Sequence, residues 1–269
     1  MTFDKEYFNL GYLDALSYQD TFVHRLDPRA KLLAMMFFIF AVISFPKYEI
    51  SGLIPFLFFP MIFFALGDIP VAFILKKVAI VSPFALFIGI FNPILDSRKM
   101  YEIFGVSVSA GWVSFFSILL KFILAMTSAL LLVATTSFPR ICEGLRKLGV
   151  PQIFVSQMLF LYRYMFVLAE ETMKIVRGRE MRSFGKGRMN IRTFIQIISV
   201  IFIRTLERAE RIYQAMLARG FTGNINITKK YAFARSDMLF LAASVLSIYL
   251  LRRYDLPAIL GKLIMKGIV

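Results

Sequence analysis

Residues 104–139 read FGVSVSAGWVSFFSILLKFILAMTSALLLVATTSFP, and Lys121 is the only charged residue in this window. A single helical crossing of a bilayer needs about 20 mainly apolar residues. The window is longer than that, so we expect one long span at about 109–136, preceded by a surface segment. We expect Lys121 to be an interface residue that snorkels or pairs with a neighbour, rather than an ion-coupling group.

Other charge-free windows lie on both sides of this span. They are Leu32–Pro46, Ile50–Gly67, Val78–Leu95 and Met238–Leu251. Pro83 and the Asn92-Pro93 pair predict that the third of these is kinked or partly re-entrant. The last window is short, but Arg252 and Arg253 can complete it by reaching the interface. The sequence therefore predicts an all-α polytopic membrane protein with about five transmembrane helices.

The composition agrees with a membrane protein. Of the 269 residues, 58% are hydrophobic and 18% are charged, whereas soluble domains average about 45–50% and about 25%. Cys142 is the single cysteine, which excludes an internal disulfide, and we expect it to be a small packing residue. Several acidic residues precede the first apolar run, so we expect no cleavable signal peptide and a first span that acts as the targeting signal.

The region 140–235 is strongly basic. It holds eighteen Lys and Arg residues against six acidic ones, although it remains rich in Phe, Ile, Leu and Met. This composition is typical of amphipathic helices that lie on a membrane face or against a partner. A nucleic-acid partner is the other interpretation of the net charge of +15, but the basic residues lie among membrane spans, so we expect none.

The distribution of charge predicts the orientation. Basic residues lie before the first span, between the second and third spans at Lys76 and Lys77, and throughout 140–235. These places share one side, which we assign to the cytoplasm. We expect four spans in 1–138, a cytoplasmic coupling region in 139–235, and a last span with its tail in 236–269. The N-terminus is then cytoplasmic in a multi-pass protein of the cell (inner) membrane. The tail is also basic, which an additional crossing at Val150–Ala169 would explain.

The sequence shows no recognisable catalytic constellation. It contains neither a G-x-x-x-x-G-K-[ST] phosphate loop nor an H-E-x-x-H motif, and its one histidine, His24, cannot form a metal cluster alone. We therefore expect no catalytic residue, cofactor or metal site. A membrane enzyme that acts on lipid would need paired carboxylates or a nucleophile–base pair near the interface, and the sequence shows neither. A secondary transporter would need polar groups inside its spans and usually repeated halves, and neither is evident in the sequence. A permease of another ATP-driven importer would also dock on ATPases, but commonly through a short loop rather than through two long basic helices.

A helix is predicted over Ile191–Phe221. At about 100° per residue, one stripe carries Arg204, Arg208, Arg211, Ala215 and Arg219. A separate apolar face, which we expect to be buried against this protein, carries Phe202, Leu206, Ala209, Tyr213, Met216 and Leu217. Glu207 and Glu210 flank the arginines. The stripe is either a solvated face near lipid headgroups or a docking surface, for which arginine suits carboxylate partners. Gly220 is predicted to be the C′ glycine of the helix.

Four segments resemble a known family. They are HRLDPRAKL at 24–32, EGLRKLGVP at 143–151, EMRSFG at 180–185 and RTLERAERIYQAMLARGF at 204–221. Together they resemble the transmembrane T subunit of energy-coupling factor (ECF) importers, most closely the cobalt/nickel branch, CbiQ. The second of the family's two Ala-Arg-Gly motifs is intact as Ala218-Arg219-Gly220. The first departs from the pattern, because Ser183 and Phe184 separate Arg182 from Gly185.

The resemblance implies a role in a complex of several subunits. A membrane S component would bind the substrate, and a pair of cytoplasmic ATPases would hydrolyse ATP. The T subunit would join them through long amphipathic coupling helices whose arginine motifs contact the ATPases. The chain would then be the transmembrane coupling subunit of a cobalt or nickel importer and not an enzyme. A T subunit of a vitamin-type ECF importer is the alternative within the family.

Overall fold

The computed structural model describes residues 12, 14–96, 99–103, 106–182, 190–223 and 233–254 of the chain. Its helices are α1 (Phe22–Arg25), α2 (Pro28–Ile43), a 3₁₀ helix (Ser51–Leu57), α3 (Phe58–Gly67), α4 (Val71–Gly89), α5 (Phe91–Leu95), α6 (Ala110–Thr135), α7 (Phe138–Lys147), α8 (Gln152–Arg182), α9 (Ile191–Ala218) and α10 (Arg235–Arg253). A short antiparallel hairpin of β1 (Lys99–Ile103) and β2 (Val106–Ser109) precedes α6. The predicted all-α polytopic fold is confirmed, and the segment before the long span is this hairpin.

The chain divides into two compact units. One, which we call the core unit, comprises Leu13–Gly144 and Tyr231–Val269. The other, which we call the helix-pair unit, comprises Met1–Tyr12 and Leu145–Lys230. In the core unit, α6 packs on α2, α3 and α4, and α10 packs on α2. The long α6 is therefore the element around which the membrane helices of the core unit assemble.

Aromatic side chains fill the centre of the core unit. The Phe38 and Phe59 rings stack with their centroids 4.4 Å apart, and Phe45 meets Phe56 edge-on at 5.2 Å. Phe63 on α3 contacts Phe240 on α10 in the same edge-on manner. Because lipid is as apolar as these side chains, helices in a membrane associate through such van der Waals packing rather than through the hydrophobic effect. These ring contacts are part of the packing that joins α2, the 3₁₀ helix, α3 and α10.

Among the residues that the structure describes, three helices are long and apolar enough to cross a membrane. They cover Val71–Ile94, which joins α4 to α5, then Ala110–Thr135, and Gln152–Arg182. The 3₁₀ helix and α3 together form a shorter apolar helix, Ser51–Gly67. The span predicted at about 109–136 is therefore confirmed as α6. The first half of α8 coincides with the additional crossing, Val150–Ala169, that the basic tail suggested.

The third span begins earlier than its sequence predicts. The helix starts at Val71 rather than Val78, so Lys76 and Lys77 lie inside it and not in a loop. The physical reason is local: Asp68 adopts a left-handed conformation (φ 49°) and Pro70 precedes the first helical residue, which completes the turn before the lysines. Both lysines can extend their ammonium groups along the helix towards water. Pro83 lies within α4, and Ile90, which keeps a right-handed helical conformation, separates α4 from α5; the predicted kink or re-entrant course stays a prediction.

Candidate docking site on the paired helices

Helices α8 and α9 lie antiparallel in the helix-pair unit. The ring of Phe160, near the start of α8, meets Phe221, just beyond the end of α9, with centroids 6.0 Å apart. Ser156 donates its hydroxyl to the carbonyl of Gly223 at 3.1 Å. Further along, Arg208 donates to Glu171 at 2.8 Å. An apolar cavity of about 310 Å³ lies between the two helices, so their packing leaves a groove rather than a closed seam.

The predicted division of α9 into two faces is partly wrong. Residues that line the cavity recur at helical spacing: Thr205, Arg208, Ala209, Ile212, Tyr213 and Met216. Arg208 thus belongs to the packed face. In contrast, Phe202 and Leu206 are 62% and 55% exposed, although they were expected to be buried. On the packed face, Arg208 forms an ion pair with Glu171 on α8 at 2.8 Å, so an arginine lines the groove at a position that the sequence pattern assigned to the exposed stripe.

The remaining charged residues of the stripe are exposed. Arg211 lies 3.8 Å from Glu207, one turn earlier, and both side chains are largely in solvent, so this contact contributes little stability. Arg204, Glu210 and Arg219 are exposed as well. The charges available to a partner on α9 therefore lie on one side of the helix and extend to its last turn.

The end of α9 has the geometry that its glycine predicts. Gly220 has φ of 76°, in the left-handed region. Its amide donates to the carbonyl of Leu217 at 2.9 Å, and the amide of Phe221 donates to Met216 at 3.0 Å. These two bonds define a Schellman motif. The motif ends the helix directly after Ala218, and it leaves Arg219 exposed at the helix terminus. The predicted C′ glycine is thereby confirmed.

The two arginine motifs occupy opposite ends of the helix pair. Arg182 is the last residue of α8 and is exposed, whereas Gly185 lies outside the described residues. Phe160, which touches Phe221 near Arg219, precedes Arg182 by 22 residues of continuous helix. At 1.5 Å per residue this distance is about 33 Å. Two arginines that far apart cannot contact a single small groove.

Comparison with known proteins identifies the family. The family described as "CbiQ: Cobalt transport protein" matches residues 19–230, which is more than half of the chain. The chain belongs to the CbiQ cobalt transport protein family. Energy-coupling factor transporter transmembrane proteins of Streptococcus thermophilus and Lactococcus lactis are 29% and 25% identical to it. The alignments cover 78% and 86% of this chain and 84% and 93% of those proteins. An uncharacterized protein of Methanocaldococcus jannaschii is 27% identical over 87% of this chain and 82% of its own length.

The resemblance to transmembrane T subunits is thereby confirmed. This CbiQ-family chain is a membrane component of transport. Sequence reasoning found both arginine motifs but missed Glu171, whose contact with Arg208 joins residues 37 positions apart. The available signal was the Glu170-Glu171 pair, which interrupts an otherwise basic stretch of α8.

The sole histidine of this CbiQ-family chain is a structural residue. His24 is buried, and its ring nitrogens lie 2.7 Å from the Thr21 hydroxyl and 3.1 Å from the carbonyl of Leu16. Burial lowers the pKa of His24, and the nearby charge of Lys31 lowers it further. Both nitrogens are therefore engaged by this chain itself. Within the described ranges, no group of three or more His, Cys, Asp and Glu side chains is placed to hold a metal ion.

Two further predicted residues are found in packing roles. Cys142 is fully buried in α7, as expected, and burial raises the pKa of its thiol to about 11. Lys121 donates to the carbonyls of Phe45 at 2.6 Å and Pro46 at 3.2 Å. It therefore pairs with a neighbouring segment, and the expectation that it satisfies local groups is confirmed.

Proposed function

We propose that this chain is the transmembrane coupling subunit of an ATP-driven ECF importer for cobalt ions. It joins a pair of cytoplasmic ATPases to a membrane S component that binds the substrate, and it passes the conformational change of the ATPases to that component. The chain lies in the cell membrane with its N-terminus in the cytoplasm. Residues 139–235 form the cytoplasmic coupling region between the spans of 1–138 and the last span and tail of 236–269.

The observation that carries this proposal is the placement of the two arginine motifs. Arg182 and Arg219 lie at opposite ends of an antiparallel helix pair. The length of α8 from Phe160, which contacts Phe221 near Arg219, to Arg182 is about 33 Å. That separation suits one contact on each of two ATPase subunits. A guanidinium can bond a carboxylate through two parallel hydrogen bonds, so each contact would fix direction as well as distance. A pair of such contacts would move with the ATPases as they approach and separate.

Cobalt is proposed on the strength of the family, whose description names cobalt transport. The described part of the chain offers no group of side chains that could hold a metal ion, and we propose that the S component binds the metal. The curated relatives named as ECF transporter transmembrane proteins carry no metal in their names. Their names therefore do not select a substrate, and a T subunit of a vitamin-type ECF importer is the second candidate.

Reconstitution of the complex tests the proposal. The chain is co-expressed with candidate ATPases and a candidate S component from the same organism, and the purified complex is placed in liposomes. We expect ATP-dependent accumulation of radioactive cobalt(II), with nickel(II) and riboflavin measured in parallel. Accumulation of riboflavin without either metal would support the vitamin alternative. The isolated chain should not bind cobalt tightly, and tight stoichiometric binding that is lost in His24→Asn would overturn the assignment of the metal to the S component.

A further inference from the structure

The chain leaves the core unit after Gly144 and returns to it before α10. Both junctions meet the same short segment, residues 24–31, which precedes and begins α2. This segment includes His24, Asp27 and Lys31, whose side chains are all at most 3% exposed. Buried ionisable groups are costly unless their hydrogen bonds are satisfied. The hydrogen bonds at this segment join it to three helices of the core unit.

At the first junction, where the chain leaves the core unit, residues 24–31 bind the end of α6 and the start of α7. Lys31 donates its ammonium group to the carbonyl of Thr135, the last residue of α6, at 2.8 Å. Arg140 on α7 donates to the carbonyl of His24 at 3.0 Å. Gly144 packs so tightly that an added Cβ would lie 2.8 Å from the Cδ1 atom of Leu32. The outgoing junction is thus bonded and packed to the base of α2.

At the second junction, where the chain re-enters the core unit, residues 24–31 bind the start of α10. Asp237 is 4% exposed and accepts two backbone hydrogen bonds. One comes from the amide of Asp27 at 2.9 Å, and the other comes from the amide of Ala234 at 2.8 Å. The Arg29 guanidinium lies 6.0 Å from the centre of the Phe233 ring. Both carboxylate oxygens of Asp237 are therefore used, one to cap α10 and one to fix α10 to the base of α2.

We propose that His24, Asp27, Lys31 and Asp237 form a clasp that fixes both ends of the coupling region to the membrane helices. These are positioning residues for transport, and the inference rests on the coupling function proposed above. A displacement of the coupling region reaches α2, α6 and α10 together, because each of these helices is bonded to the clasp. Without it, the same displacement bends the junctions and leaves the membrane helices in place.

The first test measures coupling in the reconstituted complex. Asp237→Asn keeps the size of the side chain but offers one oxygen where two backbone amides need acceptors. Lys31→Met removes the donor to Thr135. For both variants we expect intact co-purification of the ATPases, ATP hydrolysis within about twofold of wild type, and at least a tenfold loss of cobalt(II) transported per ATP. The matched control is Arg235→Gln, two residues before Asp237 and exposed, which should transport normally. A proportional loss of both activities, or no loss in either, would overturn the clasp as a coupling element.

The second test does not depend on the transported substrate. Spin labels at positions 141 and 236 report the distance between α7 and α10 in the full complex, in a Cys142→Ala background. In wild type we expect one narrow distance distribution that is the same with and without nucleotide, and in Asp237→Asn a distribution at least twice as broad. A broad wild-type distribution, or an unchanged one in Asp237→Asn, would refute the clasp. If wild type transports no cobalt but its distribution is narrow, the proposed substrate fails while the clasp stands.

Discussion

Replacement of Gly220 by alanine isolates the contribution of one backbone conformation to docking. Gly220 has φ of 76°, and a left-handed conformation costs an L-residue roughly 1–2 kcal/mol. Among the described residues, no atom lies within 4 Å of a Cβ built at this position, so the substitution adds strain but no clash. A cost of that size shifts an equilibrium by roughly 5- to 30-fold. We expect the correctly ended helix to become rarer by that factor, because the Schellman bonds of Gly220 and Phe221 require this turn.

The assay is the affinity of the purified ATPase pair for the membrane subunit in nanodiscs. Gly220→Ala should weaken binding by roughly 5- to 30-fold, and Gly220→Asn should weaken it less, because asparagine tolerates the left-handed region. The matched control is Gly178→Ala. Gly178 lies inside α8 with open space around its Cβ position, where alanine favours the helix by roughly 0.5–1 kcal/mol. Equal affinity in Gly220→Ala and wild type, or equal losses at both glycines, would refute the reasoning.

Three further predictions concern topology, the pH dependence of stability, and Lys121. In a cysteine-free background, a cysteine that replaces Lys47 should react with a membrane-impermeant thiol reagent added outside intact cells. A cysteine that replaces Gln214 should not react. The reverse result would show that the orientation is inverted. Because burial lowers the pKa of His24, its contribution to stability should be full above the ordinary histidine pKa of about 6.5 and decline as the pH falls below that value. Thermal unfolding between about pH 7.5 and about pH 5 measures this, and an identical slope in His24→Gln would assign the effect to another group. Lys121→Met should lower the melting temperature, because it removes the hydrogen-bond donor to the carbonyls of Phe45 and Pro46 at a cost of roughly 1–3 kcal/mol. Loss of transport with an unchanged melting temperature would instead make Lys121 a coupling group.

Features that depend on local sequence were predictable. The long span was expected at about 109–136 and is α6, Ala110–Thr135, because the apolar run sets its length. Gly220 was predictable as a helix end, since few other residues adopt its conformation. The start of α4 was missed because charge was taken as a boundary, although Lys76 and Lys77 are tolerated within the helix.

Features that depend on distant partners were not predictable in the same way. The apolar face of α9 was expected to be buried, but Phe202 and Leu206 are exposed, and Arg208 instead contacts Glu171 on α8, 37 positions away in the sequence. The bond from Asp27 to Asp237 spans 210 positions, and no periodicity in the sequence connects them. Helical spacing identifies which residues share a face of one helix, whereas the choice of partner for that face is made by the assembled fold.

The coupling role is tested most directly by ATPase retention in the double variant Arg182→Ala/Arg219→Ala. Truncation of one side of a buried charged pair at an interface typically costs 2–5 kcal/mol, so the loss of both arginines should release the ATPases. The control is Arg192→Ala, an exposed arginine at the start of α9. The measurement is pull-down of the ATPases on the tagged chain, with cobalt uptake in the same cells. We predict that the double variant loses both, while Arg192→Ala keeps both and the S component still co-purifies. Wild-type ATPase retention and uptake in the double variant would contradict the account and make the arginines a membrane-facing basic surface.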